Sequence, residues 1–248
     1  MFPLRDDNPT EIFPVITLLI IAACVWVWWY VQGAGFSPQA LEGSICALGA
    51  IPAEVTGAAA PSDGPCRLGG LTWQALLSSM FLHGSWMHLV GNMWFLWIFG
   101  NNVEDSMGHL RFVVFYLLTG LVAALSHVLS DPSSAVPMVG ASGAISAIMG
   151  AYLVLYPRAA VETLFIIVIF VRIVPLPAWV MLGYWMVIQL ALSAASPAGG
   201  GGVAYLAHIG GFVAGAALIL LFRNRELVSA KRRKVKLSRQ EIGHGGWW

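Results

Sequence analysis

Two polar residues in strongly apolar surroundings have the chemistry of a hydrolytic pair. Ser142 lies in a Gly-Ala-Ser-Gly run, and His208 lies in an Ala-His-Ile-Gly-Gly run. A serine hydroxyl is a weak nucleophile until a base within about 2.6–3.2 Å accepts its proton, and histidine is a common base. No Asp or Glu is placed to orient His208, so the sequence predicts a catalytic dyad of nucleophile and general base.

Two further polar residues could stabilise the negative charge that develops during such an attack. His88 and Asn92 are four residues apart, which places them one turn apart on the same face of a helix. A tetrahedral oxyanion needs hydrogen-bond donors. A helix that begins at Ser142 would add free backbone N–H groups. His88 and Asn92 could add side-chain donors to these backbone groups.

The composition indicates that these residues lie in a membrane protein. The 248 residues are 58% hydrophobic and 10% charged, and the mean hydropathy is +0.76. Soluble domains are about 45–50% apolar and about 25% charged. The length fits one bundle of several membrane helices of about 20 residues each, and no linker indicates a second domain.

Six apolar stretches are predicted to span the membrane. They are residues 12–31, 85–103, 110–129, 142–156, 178–195 and 205–222. The predicted fold is therefore an all-α membrane protein, a bundle of six transmembrane helices with a short central fourth helix. The predicted parts are a cytoplasmic N-terminus (1–11), the membrane domain (12–222) and a basic cytoplasmic tail (223–248).

Loop charges predict how the bundle is oriented. Eight of the thirteen Lys and Arg residues lie at or beyond Arg223, and the positive-inside rule places such a tail in the cytoplasm. With six spans both termini are inside, and Arg67 is then the one basic residue on the outer side. We expect a multi-pass protein of the cell membrane. Nucleic-acid binding by the basic tail is the less favoured alternative.

The same topology gathers the polar residues on one side of the membrane. The second, fourth and sixth spans all enter from the outer side, near His88, Ser142 and His208 respectively. The fourth span has 15 residues, which at about 1.5 Å per residue is roughly 22 Å, against a hydrocarbon core of about 30 Å. If this helix reaches the inner surface, Ser142 begins roughly 8 Å below the outer one. We therefore expect an active site that opens to the outer face.

Small residues predict close packing of the fourth and sixth spans. The fourth has Gly143, Ala147 and Ala151 at steps of four, and the sixth has a GxxxG pair, Gly211 and Gly215. Such patterns let helix backbones approach each other closely. This contact would bring the histidine of the sixth span to the serine of the fourth.

The stretch from Val161 to Val174 is the ambiguous part of the chain. Its uninterrupted apolar run, Leu164 to Val171, has eight residues, far fewer than the roughly 20 needed to cross a bilayer. The Ile and Val content is typical of a strand, but a bare strand edge in lipid leaves backbone groups without partners. We therefore predict an interfacial or re-entrant segment.

Two of the three cysteines, Cys46 and Cys66, lie in the long connection that follows the first span. If the outer side is oxidising, a disulfide between them would stabilise the fold by roughly 3 kcal/mol in the chain-entropy model. Cys24 lies within the first span and is expected to remain free. Spacing alone does not fix the pairing.

Taken together, the three polar clusters resemble the signature motifs of rhomboid proteases. The motifs are His88-x-x-x-Asn92, Gly140-x-Ser142-Gly143 and Ala207-His208-x-Gly210-Gly211, and the resemblance covers residues 71–222. It implies hydrolysis of peptide bonds within or beside the transmembrane helices of other membrane proteins. In that reading Ser142 is the nucleophile and His208 the general base, while His88, Asn92 and the Ser142 N–H form the oxyanion hole.

The resemblance also bears on partners and on one departure from the family pattern. It implies single-span or multi-span membrane-protein substrates in a lipid bilayer, with no cofactor and no nucleic acid. No metal is expected either, because the histidines lack accompanying Cys or carboxylate ligands. Ser146 stands where many members have an aromatic residue that packs on the catalytic histidine. The residues that bind substrate are not predicted.

Each polar residue also has a structural explanation. Serine in a Gly-Ala-Ser-Gly run commonly serves packing, and His or Asn in a membrane helix commonly forms interhelical hydrogen bonds. His83 could be a donor at the cavity rim or an interface residue, and Glu104 is expected to be a helix-end or interhelical partner. The main alternative function is a non-catalytic rhomboid-like protein that binds membrane clients. Such relatives typically lack the Ser or the His, and this chain has both.

Overall fold

A computed structural model of the chain describes residues 1–59, 64–66, 68–70, 72–167, 170–196 and 203–232. These residues form helices α1 to α10 and strands β1 to β3. The helices are Val15–Tyr30, Pro38–Leu48, Pro52–Thr56, Ala75–Ser78, Trp86–Met107, His109–Ser130, Ser142–Leu155, Ala178–Ala195, Tyr205–Phe222 and Arg225–Arg232. The strands are Phe2–Asp6, Ala160–Ile167 and Phe170–Pro177.

Every stretch predicted to span the membrane is a helix in the structure, namely α1 and α5 to α9. Within the described ranges, α6, α8 and α9 are long and apolar enough to cross a bilayer, and α1 and α7 are shorter apolar helices. The 22 residues of α5 include two acids near its C-terminal end, Glu104 and Asp105. The protein is therefore a mostly helical membrane protein.

Helix α7 is enclosed by the rest of the fold along most of its length, and every residue from Gly143 to Tyr152 is buried. Its most extensive contact is with α9. A Cβ atom on Gly211 would overlap the carbonyl oxygen of Gly143, and one on Gly215 would overlap that of Ala147. The predicted close contact between these two helices is confirmed, and it depends on the absence of side chains at the glycines.

Replacing Gly215 with alanine is expected to force α7 and α9 apart, because the added methyl meets backbone and not a flexible side chain. Overpacking of this kind typically costs about 1–3 kcal/mol of folding free energy. The matched control is Gly183→Ala in α8, where a Cβ would meet nothing within 4 Å. Thermal unfolding in detergent should show a lower Tm for Gly215→Ala than for the control. Equal Tm values would contradict this account.

The segment after α7 is a β-hairpin, so the all-α prediction was wrong here. Strands β2 and β3 pair antiparallel from Ala160↔Pro177 to Ile167↔Phe170. Strand β1, from the N-terminal region, pairs antiparallel with the other edge of β2. A strand was not predicted because the backbone groups along its edge would lack partners in lipid. The distant strand β1 supplies partners for the edge of β2 that does not face β3.

Strand β1 also docks against α5, so the predicted N-terminal segment is an ordered part of the fold. The indole Nε1 of Trp94 donates to the carbonyl oxygen of Pro3 at 2.7 Å. Asp6 accepts hydrogen bonds from Asn102 Nδ2 at 2.8 Å and from the Tyr152 hydroxyl at 2.6 Å. The strand therefore follows α5 from near its C-terminal end towards its middle.

Burial raises the pKa of Asp6 to about 6, against an ordinary value of about 3.9. The folded state therefore favours the protonated form of Asp6. The stability that this protonated carboxyl contributes is fully present below about pH 4, the ordinary pKa, and is lost as the pH rises through about 6, the pKa in the folded protein. The expected slope is at most about 1.4 kcal/mol per pH unit. Thermal unfolding of the native protein and of Asp6→Asn between pH 4 and 7 checks this. A Tm difference that does not change with pH would refute it.

Two buried carboxylates of α5 contact the first helix, α1, and the last described helix, α10. Glu104 accepts from the backbone N–H of Thr17 at 2.8 Å and from its hydroxyl at 2.7 Å, and so caps α1, which has no cap of its own. Asp105 forms a buried ion pair with Lys231 of α10. The structural role predicted for Glu104 is confirmed. The first part of the predicted tail is a docked helix, and residues 233–248 lie outside the described residues.

Cys46 and Cys66 form a disulfide, and Cys24 is a buried free thiol. The bond joins α2 to the segment just before α4. The expected pairing is therefore confirmed. Arg67, predicted to be the basic residue on the outer side, lies outside the described residues.

Candidate active site

Ser142 and His208 are in hydrogen-bond contact. The Nε2 atom of His208 is 2.7 Å from the Oγ atom of Ser142, within the roughly 2.6–3.2 Å expected of a nucleophile and its base. Ser142 is the first residue of α7, and His208 lies in the first turn of α9. The close packing of these helices brings together two residues that are 66 positions apart in sequence.

The second ring nitrogen of His208 has a partner that the sequence analysis missed. The Nδ1 atom is 2.8 Å from the Oε1 atom of Gln189 in α8, and both side chains are buried. A neutral imidazole protonated at Nδ1 donates to this amide oxygen and leaves Nε2 free to accept the Ser142 hydroxyl proton. Gln189 is a polar residue inside an apolar helix, which is itself a signal of function.

Aromatic rings from α8 and α9 also contact His208. The ring centroids of Trp185 and Tyr205 are 6.0 Å and 6.4 Å from that of the imidazole. Ser146, at the position where many rhomboid proteases have an aromatic residue, donates its hydroxyl to the Ser142 carbonyl at 2.7 Å. The imidazole is therefore supported by α8 and α9 and not by the residue one turn after the nucleophile.

His88 lies close to the turn that precedes the nucleophile. A Cβ atom on Gly140 would be only 2.7 Å from His88 Nε2 and 3.5 Å from Ser142 Oγ. Gly140 also has a φ of +127°, a conformation that glycine adopts and other residues rarely do. Both facts explain why glycine precedes the serine by two positions. The structure brings His88 to the neighbourhood of Ser142, as the sequence predicts.

The side-chain amide of Asn92 has an unpaired hydrogen-bond donor in the described part of the structure. The residue is 8% exposed, and within the described ranges its Nδ2 atom has no hydrogen-bond partner. A buried donor left unpaired costs about 1–3 kcal/mol, so such groups in native proteins need an explanation. Asn92 lies one turn after His88 on α5, which packs against α7. The amide of Asn92 is therefore available to donate a hydrogen bond.

His83 contacts the site through His88. Their ring centroids are 5.2 Å apart in an edge-to-face arrangement, and His83 is fully buried. The side-chain amide of Gln32 both accepts from the His83 N–H and donates to its carbonyl, each at 2.8 Å. Full burial fits neither a cavity rim nor an interface position, the two roles left open by the sequence, and the residue packs against His88 instead.

The contact between His109 and Glu104 lies away from the dyad. His109 Nδ1 is 2.5 Å from Glu104 Oε1, at the start of α6 and near the C-terminal end of α5. Across the described part of the chain, no three His, Cys, Asp or Glu side chains are grouped as metal ligands would be.

Comparison with known proteins identifies the family. A family model described as the Rhomboid domain matches residues 70–225, which include the four predicted site residues. Rhomboid-like protein 11, chloroplastic, of Arabidopsis thaliana is 42% identical over 73 residues, covering 29% of this chain and 26% of that protein. RHOMBOID-like protein 5 of the same plant is 37% identical over 84 residues, covering 34% and 27%.

A longer match is to Rhomboid protein 1, mitochondrial, of Saccharomyces cerevisiae. It is 31% identical over 146 residues, which cover 57% of this chain and 39% of the yeast protein. The matched regions thus span from about a quarter to two fifths of the length of these relatives. Because the family model covers more than half of the sequence, the chain belongs to the rhomboid family.

Proposed function

We propose that the protein is an intramembrane serine endopeptidase that hydrolyses peptide bonds in or near the transmembrane segments of other membrane proteins. The observation that carries the proposal is the 2.7 Å contact between Ser142 Oγ and His208 Nε2 in a chain of the rhomboid family. A serine paired with a histidine at this distance is the arrangement that acyl transfer requires. The protein would be a hydrolase of the rhomboid serine protease type.

In the proposed mechanism Ser142 Oγ attacks the carbonyl carbon of the scissile peptide while His208 Nε2 accepts the hydroxyl proton. The negative charge moves to the former carbonyl oxygen, which the Ser142 N–H, His88 and Asn92 are proposed to stabilise. The imidazolium then gives its proton to the departing amine, and the C–N bond breaks. Water, deprotonated by the same imidazole, hydrolyses the acyl-enzyme and restores the serine.

The proposed topology has α1 and α5 to α9 crossing a cell membrane, with residues 12–222 as the membrane domain. Residues 1–11 and 223–248 would be on the cytoplasmic side, with β1 extending from there along α5, and the dyad would open to the outer face. Helix α7 has 14 residues, which is about 21 Å of helix against about 30 Å of hydrocarbon. A helix this short supports a position for Ser142 below the outer surface.

The proposed substrates are single-span or multi-span membrane proteins in the lipid bilayer, without cofactor or nucleic acid. A carbonyl inside a regular helix is hydrogen-bonded internally and cannot reach a nucleophile, and lipid offers no alternative partner. Substrates should therefore have Gly, Pro or other helix-weakening residues near the outer end of their span.

The test uses the purified full chain in lipid vesicles with a fluorophosphonate probe and a model single-span substrate that has a Gly-Pro pair near its outer end. We expect the probe to label Ser142, as located by peptide mapping, and the substrate to be cut near that pair. A protein that captures the substrate without labelling or cleavage would overturn the proposal. That outcome would indicate a non-catalytic rhomboid-like client-binding protein.

A further inference from the structure

We propose that Gln189 is a positioning residue that fixes the tautomer of His208. Because Gln189 lies on α8, the reactivity of the dyad would then depend on the packing of the C-terminal half of α8 against α9. This inference rests on the proposed function, because it assigns a role towards the same dyad. It concerns a residue that touches neither the nucleophile nor the oxyanion donors among the described contacts, and that acts through the imidazole alone.

The hydrogen-bond chemistry of the contact determines where the imidazole proton lies. Gln189 Oε1 can only accept, so the 2.8 Å contact requires a proton on His208 Nδ1. A neutral imidazole with that proton presents a lone pair at Nε2, which is 2.7 Å from the Ser142 hydroxyl. The opposite tautomer would place an N–H against the serine, where it could not accept the proton. The glutamine therefore selects the tautomer that can act as a base.

A neutral acceptor differs from the carboxylate of a Ser-His-Asp triad in one respect. It orients the ring without adding a negative charge that would favour the imidazolium. In an apolar bundle an additional buried charge would itself need a partner. An amide oxygen gives the orientation at a smaller desolvation cost. The arrangement explains how the histidine is held when Ser146 replaces the aromatic residue found in many family members.

The position of Gln189 within α8 adds the dependence on this helix. Only 22% of the residues in α8 are buried. Three of them, Ala178, Met181 and Leu182, lie near the N-terminal end, and Gln189 lies in the C-terminal half. Among the side-chain hydrogen bonds that the structure describes, only the one between Gln189 and His208 joins α8 to another helix. Movement of the C-terminal half of α8 away from α9 would therefore break this bond first.

Two substitutions and a control test the proposal. Gln189→Leu removes the acceptor at similar volume, and we expect kcat to fall about 10–10²-fold, which does not exceed the lower end of the roughly 10²–10⁴-fold that general-base catalysis supplies. The rate of fluorophosphonate labelling of Ser142 should fall in parallel, with KM unchanged. Gln189→Glu keeps an acceptor at the same reach and should retain most of the rate. Its carboxylate would stabilise the imidazolium, so the acid limb of the pH–rate profile should move to higher pH.

The matched control is Leu190→Ala, which removes an exposed side chain of the same helix next to Gln189. It should leave Tm, the labelling rate and the pH profile unchanged. Native labelling rates in Gln189→Leu would overturn the proposal, as would equal losses in Gln189→Leu and Gln189→Glu. If native protein is not labelled at all, the proposed function fails. If native protein and Gln189→Leu are labelled equally, only the role of Gln189 fails.

Discussion

The Ser142→Ala variant is expected to lose peptide-bond hydrolysis by about 10⁴–10⁶-fold, because the nucleophile and its base act as a unit. The substitution removes one oxygen, whose described hydrogen bond is to His208, so the fold and its Tm should change little. Cleavage of a model substrate, followed by mass spectrometry of the products, measures the loss. His208→Ala should be nearly as severe, and combining both changes should add little to either.

A matched serine on the same helix provides the control for this prediction. Ser146 is one turn after Ser142, and its hydroxyl donates to the Ser142 carbonyl and not to the base. Ser146→Ala should therefore keep turnover within a few-fold of native. Substantial residual turnover in Ser142→Ala would rule out the proposed mechanism, as would equal losses in both serine variants.

Replacing Asn92 with alanine is expected to lower kcat by about 10²–10³-fold if its amide is a principal oxyanion donor. The variant should still be labelled at Ser142 by a fluorophosphonate, because the nucleophile and the base remain. Stability should not fall and could rise, since the change removes a buried donor that has no partner in the described part of the structure. Substrate kinetics and Tm measured on the same preparations check both outcomes.

Asn101→Ala is the control on the same helix. Its side-chain oxygen accepts hydrogen bonds from Asn102 near the C-terminal end of α5, away from the dyad. We expect an effect on stability alone. Unaltered kinetics in Asn92→Ala would mean that this residue is a packing element of the bundle and that the oxyanion is stabilised by other donors.

The positions of the helices and of the dyad were predictable because the signals are local. A long apolar stretch indicates a membrane helix whatever its neighbours are, and the predicted sixth span, residues 205–222, matches α9 at both ends. Small residues at steps of four likewise predicted the contact between α7 and α9. Given these two facts, the meeting of Ser142 and His208 follows from the sequence.

The partners of the dyad were harder to predict because they depend on how α8 is rotated. Gln189 and Trp185 are four residues apart on one face of that helix, and both contact His208. The sequence shows a polar residue in an apolar helix but not the direction in which it faces. The three-stranded sheet was missed for a related reason, since β1 and β2 are separated by most of the membrane domain.

The sheet also sets an order of events during synthesis. Arg5 of β1 contacts Glu162 of β2 across 157 residues, and chains are made at about 5–20 residues per second. Strand β1 must therefore wait on the order of 10 to 30 seconds for its partner to leave the ribosome. By then α1 and α5 to α7 have already been synthesised. Strand β1 also bonds to Trp94 of α5 and to Tyr152 of α7, so its full set of contacts exists only once those helices and β2 are present. The beginning of the chain thus completes its contacts late.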